Sequence, residues 1–160
     1  MDRTELLAFL RTQELAVLAS LGPDGAPQAA VVGIAVSDEL EIVFDTVDSS
    51  RKVRNVRADP RVALALGGLT PGDERTVQYE GVADEPTGVD LERARALYFE
   101  RFPDGRERLA RWPGLIHVCV RPTWIRYSDF NRAPPVIAEF SGTDLPTPGP
   151  PAPPGPGAQP

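Results

Sequence analysis

Between Leu15 and Tyr127 the chain is cut into short apolar or alternating runs by clusters of turn-forming residues, and this spacing constrains the fold more than any other feature. Leu15 to Leu21 reads as a strand. Gly22 to Pro27, GPDGAP, reads as a hairpin connection because Asp24-Gly25 tolerates positive φ. Gln28 to Val36 returns as a nearly all-apolar strand, expected to be buried on both faces. Further strands are predicted at Leu40 to Phe44, Arg61 to Leu66 and Arg75 to Glu85, the last alternating Val77, Tyr79 and Gly81 against Thr76, Gln78 and Glu80. Leu115 to Tyr127 closes the series, bent at Arg121-Pro122 because Pro cannot donate to a ladder. Asp2 to Gln13 has capping-box spacing and Leu6, Phe9 and Leu10 on one face, while Val89 to Phe102 is an amphipathic helix. The expectation is a mainly β (α+β) fold: six strands in meander order forming a closed or split antiparallel barrel with small flanking helices.

The 160 residues suffice for one domain with its own core, and 41% hydrophobic with 25% charged residues is ordinary globular composition. A net charge of −6 and a pI near 4.8 argue against general nucleic-acid binding, which needs a broadly basic face. No apolar run approaches the ~20 residues of a membrane-spanning helix. The opening MDRTELLAFLRTQ lacks the pattern of a signal peptide, and the single Cys119 suits a reducing compartment, so a cytoplasmic protein is expected. From Ser141 to Pro160 the chain carries eight prolines and little to bury. The domain is therefore expected over residues 1–140, with a Pro-rich disordered tail over 141–160.

The basic segment SSRKVRNVRADPR, Ser49 to Arg61, holds the one lysine of the 17 basic residues. Ser49 or Ser50 is a good N-cap, Val53 and Val56 form a short inward face, and Asp59-Pro60 ends the helix. Arg51 and Lys52 then fall in the first turn, where cations are mildly unfavourable against the helix dipole unless an anion lies nearby. Helix-start N–H groups, a serine hydroxyl, a guanidinium and an ammonium together suit a phosphate or carboxylate. A solvated basic face is the plainer alternative, and it is the expected one for Arg54 and Arg57.

FDTVDSSRKVRNV resembles the phosphate-binding stretch of the pyridoxamine 5′-phosphate oxidase-like FMN-binding split barrels. ELAVLASLGPDGAPQAAVVGIAV is similar to that family's first hairpin, RADPRVALAL to its helix exit and next strand, RTVQYEGVADE to the following strand, and VRPTWIRYSDF to the C-terminal strand. The resemblance implies a split barrel binding FMN in a homodimer, with the flavin between subunits. It implies that Ser50, Arg51 and Lys52 hold the FMN phosphate and that Thr46 lies near the phosphate and ribityl chain. Gln28 to Val32, including Val31 and Val32, would run along the isoalloxazine ring. Thr76 lies where oxidases of the family often have a flavin-contacting Gln, and Gln78 faces the same side. Trp124 and Arg126 resemble a Trp and an Arg supplied across the interface, although a core Trp beside an exposed Arg reads as well.

Three departures bear on substrate. Gly33 stands where the oxidase has a substrate-facing Lys, and Gln28 replaces an Arg; the C-terminal Arg-x-His pair is also missing. Pyridoxamine phosphate oxidation is therefore not expected. His117 and Cys119 share one strand face but are too few for a zinc site, so no metal is expected and a packed interior is their reading. No catalytic side chain is assigned; the chemistry would come from the cofactor. The expected function is a flavin oxidoreductase acting on a small molecule. A deazaflavin-dependent reductase and a non-catalytic flavin- or haem-binding module are the alternatives.

Overall fold

The GPDGAP connection turns as its residues dictate. Gly25 sits at φ 77°, its N–H donates to the Gly22 carbonyl at 2.9 Å, and Asp24 Oδ1 accepts from the Ala26 N–H at 3.2 Å. This brings β1 (Leu15–Leu21) against β2 (Pro27–Gly33) in antiparallel register, Leu18 opposite Ala30 and Ser20 opposite Gln28. The structure is a computed structural model that describes residues 1–145. Those residues complete β3 (Ala35–Val36), β4 (Ile42–Val47), β5 (Arg61–Gly67), β6 (Arg75–Asp84), β7 (Leu115–Asp129) and β8 (Val136–Ser141). The helices are α1 (Arg3–Thr12), α2 (Arg51–Ala58), α3 (Gly88–Arg101) and α4 (Gly105–Arg111).

The sheet runs in the order β2-β1-β5-β6-β7-β4-β3. Since β3 follows β2 directly in the chain, the two ends of this sheet return to one another, and the barrel stays split between β2 and β4. The long strand β7 makes this possible. One edge pairs with β6 over Cys119 to Asp129; the other takes β4 over Leu115 to Val120 and then β8 over Trp124 to Asp129. At Pro122 the β6 register shifts: Glu80 faces Trp124 but Gly81 faces Pro122, leaving Thr123 as the extra residue of a bulge. The expected bend is there.

Period-2 alternation fills the interior. Leu18, Phe44, Leu64, Tyr79, Val118 and Ile125 meet in one apolar core, closed by Leu6 and Leu10 of α1. Tyr79 is fully buried, and its hydroxyl faces both the Leu40 carbonyl (3.0 Å) and the Val120 carbonyl (2.9 Å), tying the entry of β4 to β7. A second, smaller cluster lies outside the barrel wall, where Ala94, Tyr98 and Phe99 of α3 cover Ala35, Val43 and Cys119. The capping box of α1 is formed, with Asp2 accepting from Glu5 N–H at 2.8 Å and Glu5 accepting from Asp2 N–H at 2.7 Å.

Four expectations change. The strand over Gln28 to Val36 breaks at Ile34, whose N–H donates to the Glu14 carbonyl at 3.0 Å. With β3 separate and β8 added, the described strands number eight rather than six. Strand order departs from a meander, because β1 pairs with β5 and β4 with β7. Nor is β2 buried on both faces: Val32 is buried, whereas Val31 is 64% exposed at the sheet's edge.

The fold also extends past residue 140. Ser141 ends β8, Gly142–Asp144 form a 3₁₀ turn, and Leu145 packs into the main core at 7% exposure. The expected tail otherwise falls on residues 146–160, outside the described residues. Leu145→Ala should therefore lower stability by about 2–5 kcal/mol, the range of a buried Leu truncation. Thr143→Ala, at an exposed neighbour, should change it little; urea unfolding of both variants reads the difference.

Candidate functional site

The basic helix α2 begins at the split. Its N-cap, Ser50, is extended (φ −68°, ψ 154°) but makes no side-chain cap, so the first-turn N–H groups stay open to a ligand. The Ser50 hydroxyl instead lies 3.3 Å from Thr46 Oγ1, and Lys52 Nζ donates to that same oxygen at 3.2 Å. An ammonium only donates, so Thr46 accepts from Lys52, while either hydroxyl of the Thr46–Ser50 pair can donate to the other. Thr46 is buried on the face of β4 that carries Ile42 and Phe44, which fixes the base of this chain of donors.

Beside it opens a cavity of about 240 Å³ lined by Leu18, Ser20, Gln28, Ala29, Ala30, Arg51 and Lys52. Arg51 is exposed at its rim and Lys52 half-buried in its wall. The volume is below the ~300–1,000 Å³ of pockets that enclose a whole drug-sized ligand, so it suits a terminal anionic group whose remainder lies along the free edge of β2. Arg54 and Arg57 point away and are exposed. Arg54 donates to the Ser49 carbonyl at 3.1 Å, and Arg57 forks onto Glu85 at 2.5 and 3.0 Å. The solvated reading of these two holds.

The structure thus gathers Gln28, Thr46, Ser50, Arg51 and Lys52. It places the other expected residues elsewhere. Val31, Gln78 and Arg126 fall on one cross-strand row of the sheet's outer face, running Val31, Val17, Ala65, Gln78, Arg126, Glu139. Trp124 lies on the next row, opposite Glu80 and Ser141, and Thr76 opposite Gly67 and Ser128. Val32 turns into the core at 6% exposure, so only one of the two valines faces solvent. Gln78 is three strand spacings, about 14 Å, from β2. Arg126 is partly buried and paired with Glu139 at 3.2 Å, and Trp124 is partly buried, so the reading of a fully core Trp does not apply.

Two residues at the cavity escaped sequence reasoning. Asn55 is buried in α2, and its amide nitrogen donates to Ser20 Oγ and to Gln28 Oε1, both at 3.0 Å. The available signal was Asn55 itself, a weak helix former beside Val56 on the inward face of α2.

His117 and Cys119 are buried together on the β7 face that meets α3. The His117 ring stands edge-on to Tyr98 and Phe99 at 5.2 and 5.5 Å, and neither ring nitrogen has a partner among the described residues. Asp45, across the strand pair, is engaged by Tyr98 (2.8 Å) and Arg108 (3.5 Å). Burial lowers the His117 pKa from 6.5; Asp45 opposes this, while Arg95 and Arg108 reinforce it. The unfolded chain therefore binds the proton more readily than the fold. Stability present above pH 6.5 should be lost as the pH falls from there toward the depressed folded value. His117→Phe should flatten that part of the pH–stability curve, with urea midpoints across the acid range as the measurement.

A split barrel of antiparallel strands with a cation-bearing helix start at its opening defines the class. The chain belongs to the pyridoxamine 5′-phosphate oxidase family, whose model matches residues 3–128. A pyridoxine/pyridoxamine 5′-phosphate oxidase of Rubrobacter xylanophilus is 38% identical over 109 residues, covering 67% of this chain and 46% of that protein. The match thus spans about half the length of such relatives. Among solved structures, a haem-binding protein of Mycobacterium smegmatis superposes with TM-score 0.73 at 20% identity, covering 89% of this chain and 58% of that one. A pyridoxamine 5′-phosphate oxidase-related, FMN-binding protein of Nostoc punctiforme superposes with TM-score 0.65 at 15% identity, covering 89% and 86%. At these identities the likeness is one of fold.

Proposed function

We propose that this protein binds FMN and acts as a cytoplasmic flavin oxidoreductase on a small molecule. The observation that carries the reading is the meeting of Gln28, Arg51 and Lys52 on one small cavity at the start of α2, with Thr46 and Ser50 hydrogen-bonded in a cluster with Lys52 beside it. The donor set is cationic or hydroxylic and fits a phosphate monoester. When bound, the flavin would supply the hydride chemistry; the chain would supply the anchor and the β2 edge that orients the ring. A deazaflavin with a phosphate in the same place would use the same anchor.

Haem binding is the weaker reading. The one His and the one Cys are 2% and 6% exposed, and Tyr79, Tyr98 and Tyr127 are equally buried. A His, Cys or Tyr axial ligand would have to come out of the packed interior. Pyridoxamine phosphate is likewise disfavoured as substrate. A Cβ on Gly33 would stand 3.2 Å from Phe102 and 3.5 Å from the Tyr98 hydroxyl, so an aromatic shelf occupies the space a longer basic side chain would need.

We further propose a homodimer. Thr76, Gln78, Trp124 and Arg126 lie on the outer face, away from the residues that line the anion cavity, and that face offers the small apolar Ala19, Ala29, Ala63 and Ala65 beside Val31 for a second copy to cover. The test is the absorption spectrum of the purified protein together with its mass in sedimentation. A dimer with a flavin spectrum, reducible by a nicotinamide donor, supports the whole reading. A haem Soret band, or a monomer carrying stoichiometric FMN, would overturn the corresponding part.

A further inference from the structure

We infer that the α3–α4 unit is an acid-released flap, with His117 as the buried group whose protonation lets it leave the barrel wall. The unit is bounded by Gly88 (φ 55°) and Gly114 (φ 78°), residues that can absorb a backbone rotation. Ala94, Tyr98 and Phe99 hold it to Ala35, Val43 and Cys119 in a small cluster separate from the main core. A polar tie is added at Asp45, which accepts from the Tyr98 hydroxyl at 2.8 Å and pairs with Arg108 at 3.5 Å. Such a unit can open without the sheet unfolding, since it shares little of the main core. Tyr98 also reaches the split: its hydroxyl would stand 3.5 Å from a Cβ on Gly33. Release would uncover the opening between β2 and β4 next to Thr46, the residue that accepts from Lys52.

His117 lies beneath this contact, 2% exposed, edge-on to Tyr98 and Phe99 and opposite Asp45 in the β4–β7 register. Neither ring nitrogen has a partner among the described residues, so no acceptor is in place for a second N–H. The charged groups acting on the ring are Asp45 from β4, Arg95 from α3 and Arg108 from α4. Arg106 stands over the Phe99 ring at 5.0 Å. Glu92 and Asp104 pair with Arg95 and Arg108 at 3.4 and 3.3 Å, and Asp45 already serves Tyr98 and Arg108. On its own strand, Cys119 is a thiol that burial keeps neutral. An imidazolium here would be stripped of water beside two guanidiniums. With the flap away, the ring meets water and takes the proton at its ordinary affinity. One proton gained on opening favours the open position by up to about tenfold per pH unit below 6.5, until the closed form titrates as well.

Cys119 is the one cysteine of the chain and lies under the flap, so its labelling by an aromatic disulfide that reacts at acid pH reads the opening. Rates in the full chain are divided by those of the urea-unfolded chain at the same pH, which removes the titration of the thiol. Between about pH 7.5 and about pH 5 this ratio should rise roughly tenfold or more, while urea midpoints show the core still folded. His117→Phe keeps an aromatic ring and should abolish the rise. Tyr98→Phe loses only the bond to Asp45, and should raise the ratio at every pH without changing its slope. A flat ratio in the unaltered chain overturns the inference, as does a rise that follows global unfolding or persists in His117→Phe. Should His117→Phe not fold, hydrogen exchange of the unaltered chain decides. Acid-accelerated exchange confined to residues 88–114 supports the flap, and acceleration spread evenly over the sheet overturns it.

Discussion

Replacing Arg51 or Lys52 by Ala should weaken FMN binding by roughly tenfold to a hundredfold and leave riboflavin binding nearly unchanged. Each loses a charge-assisted bond worth ~1.5–3 kcal/mol, and ~1.4 kcal/mol is a factor of ten in affinity. The double substitution should cost more than either alone but less than their product, because both side chains line the same cavity and serve one ligand. Without ligand, Arg51→Ala should hold or slightly gain stability, since a cation leaves the positive end of α2. Lys52→Ala gives up its bond to Thr46 and should gain less. Arg54→Ala and Arg57→Ala serve as controls on the ratio, because their partners are the Ser49 carbonyl and Glu85. Calorimetric affinities for FMN and riboflavin across the series are the measurement. A constant ratio in the Arg51 and Lys52 variants would move the phosphate elsewhere.

A large loss of stability should follow Gly81→Val. Gly81 lies beside the β7 bulge, and a Cβ there would stand 2.5 Å from the Arg121 carbonyl oxygen, 2.7 Å from Val120 Cγ1 and 3.1 Å from the Tyr79 ring. The nearest of these is backbone in the middle of the sheet, and the ring is held by two buried carbonyls, so no flexible side chain can yield. The expected cost is about 3 kcal/mol or more, which in a domain of this size lowers the melting temperature by roughly 10 °C. Gly25→Asn is the contrast: its φ is positive, but nothing lies within 4 Å of the added Cβ, and Asn tolerates that conformation. A melting curve for Gly81→Val close to that of the unaltered chain would mean the bulge can slide.

How much was legible follows the range of each signal. The capping box of α1, the β1–β2 hairpin, the limits of α2 and the alternation of β6 each depend on residues a few positions apart, and each is found where the pattern puts it. β8 was missed because Val136 to Ser141 lies between two prolines and a Pro-rich end, which masks a short alternating run. The resemblance of FDTVDSSRKVRNV pointed to Thr46, Ser50, Arg51 and Lys52, and that of the first hairpin to Gln28, yet neither gave a hint that Ser20 lines the same cavity and is tied to Gln28 by Asn55. Asn55 lies 27 positions from Gln28 and 35 from Ser20, beyond the reach of any local pattern.

The sequence by itself determined the local elements, the basic helix start and the residue types available for an anion, since helix caps, turn conformations and apolar periodicity are set by near neighbours. Only the tertiary structure decided that β1 pairs with β5 and β4 with β7, that Val31 and Val32 part to opposite faces, and that Gln78 and Arg126 lie away from the cavity. The alternating runs are compatible with several strand orders. One order is selected because it buries every inward face in a common core and leaves the split of the barrel at the start of α2.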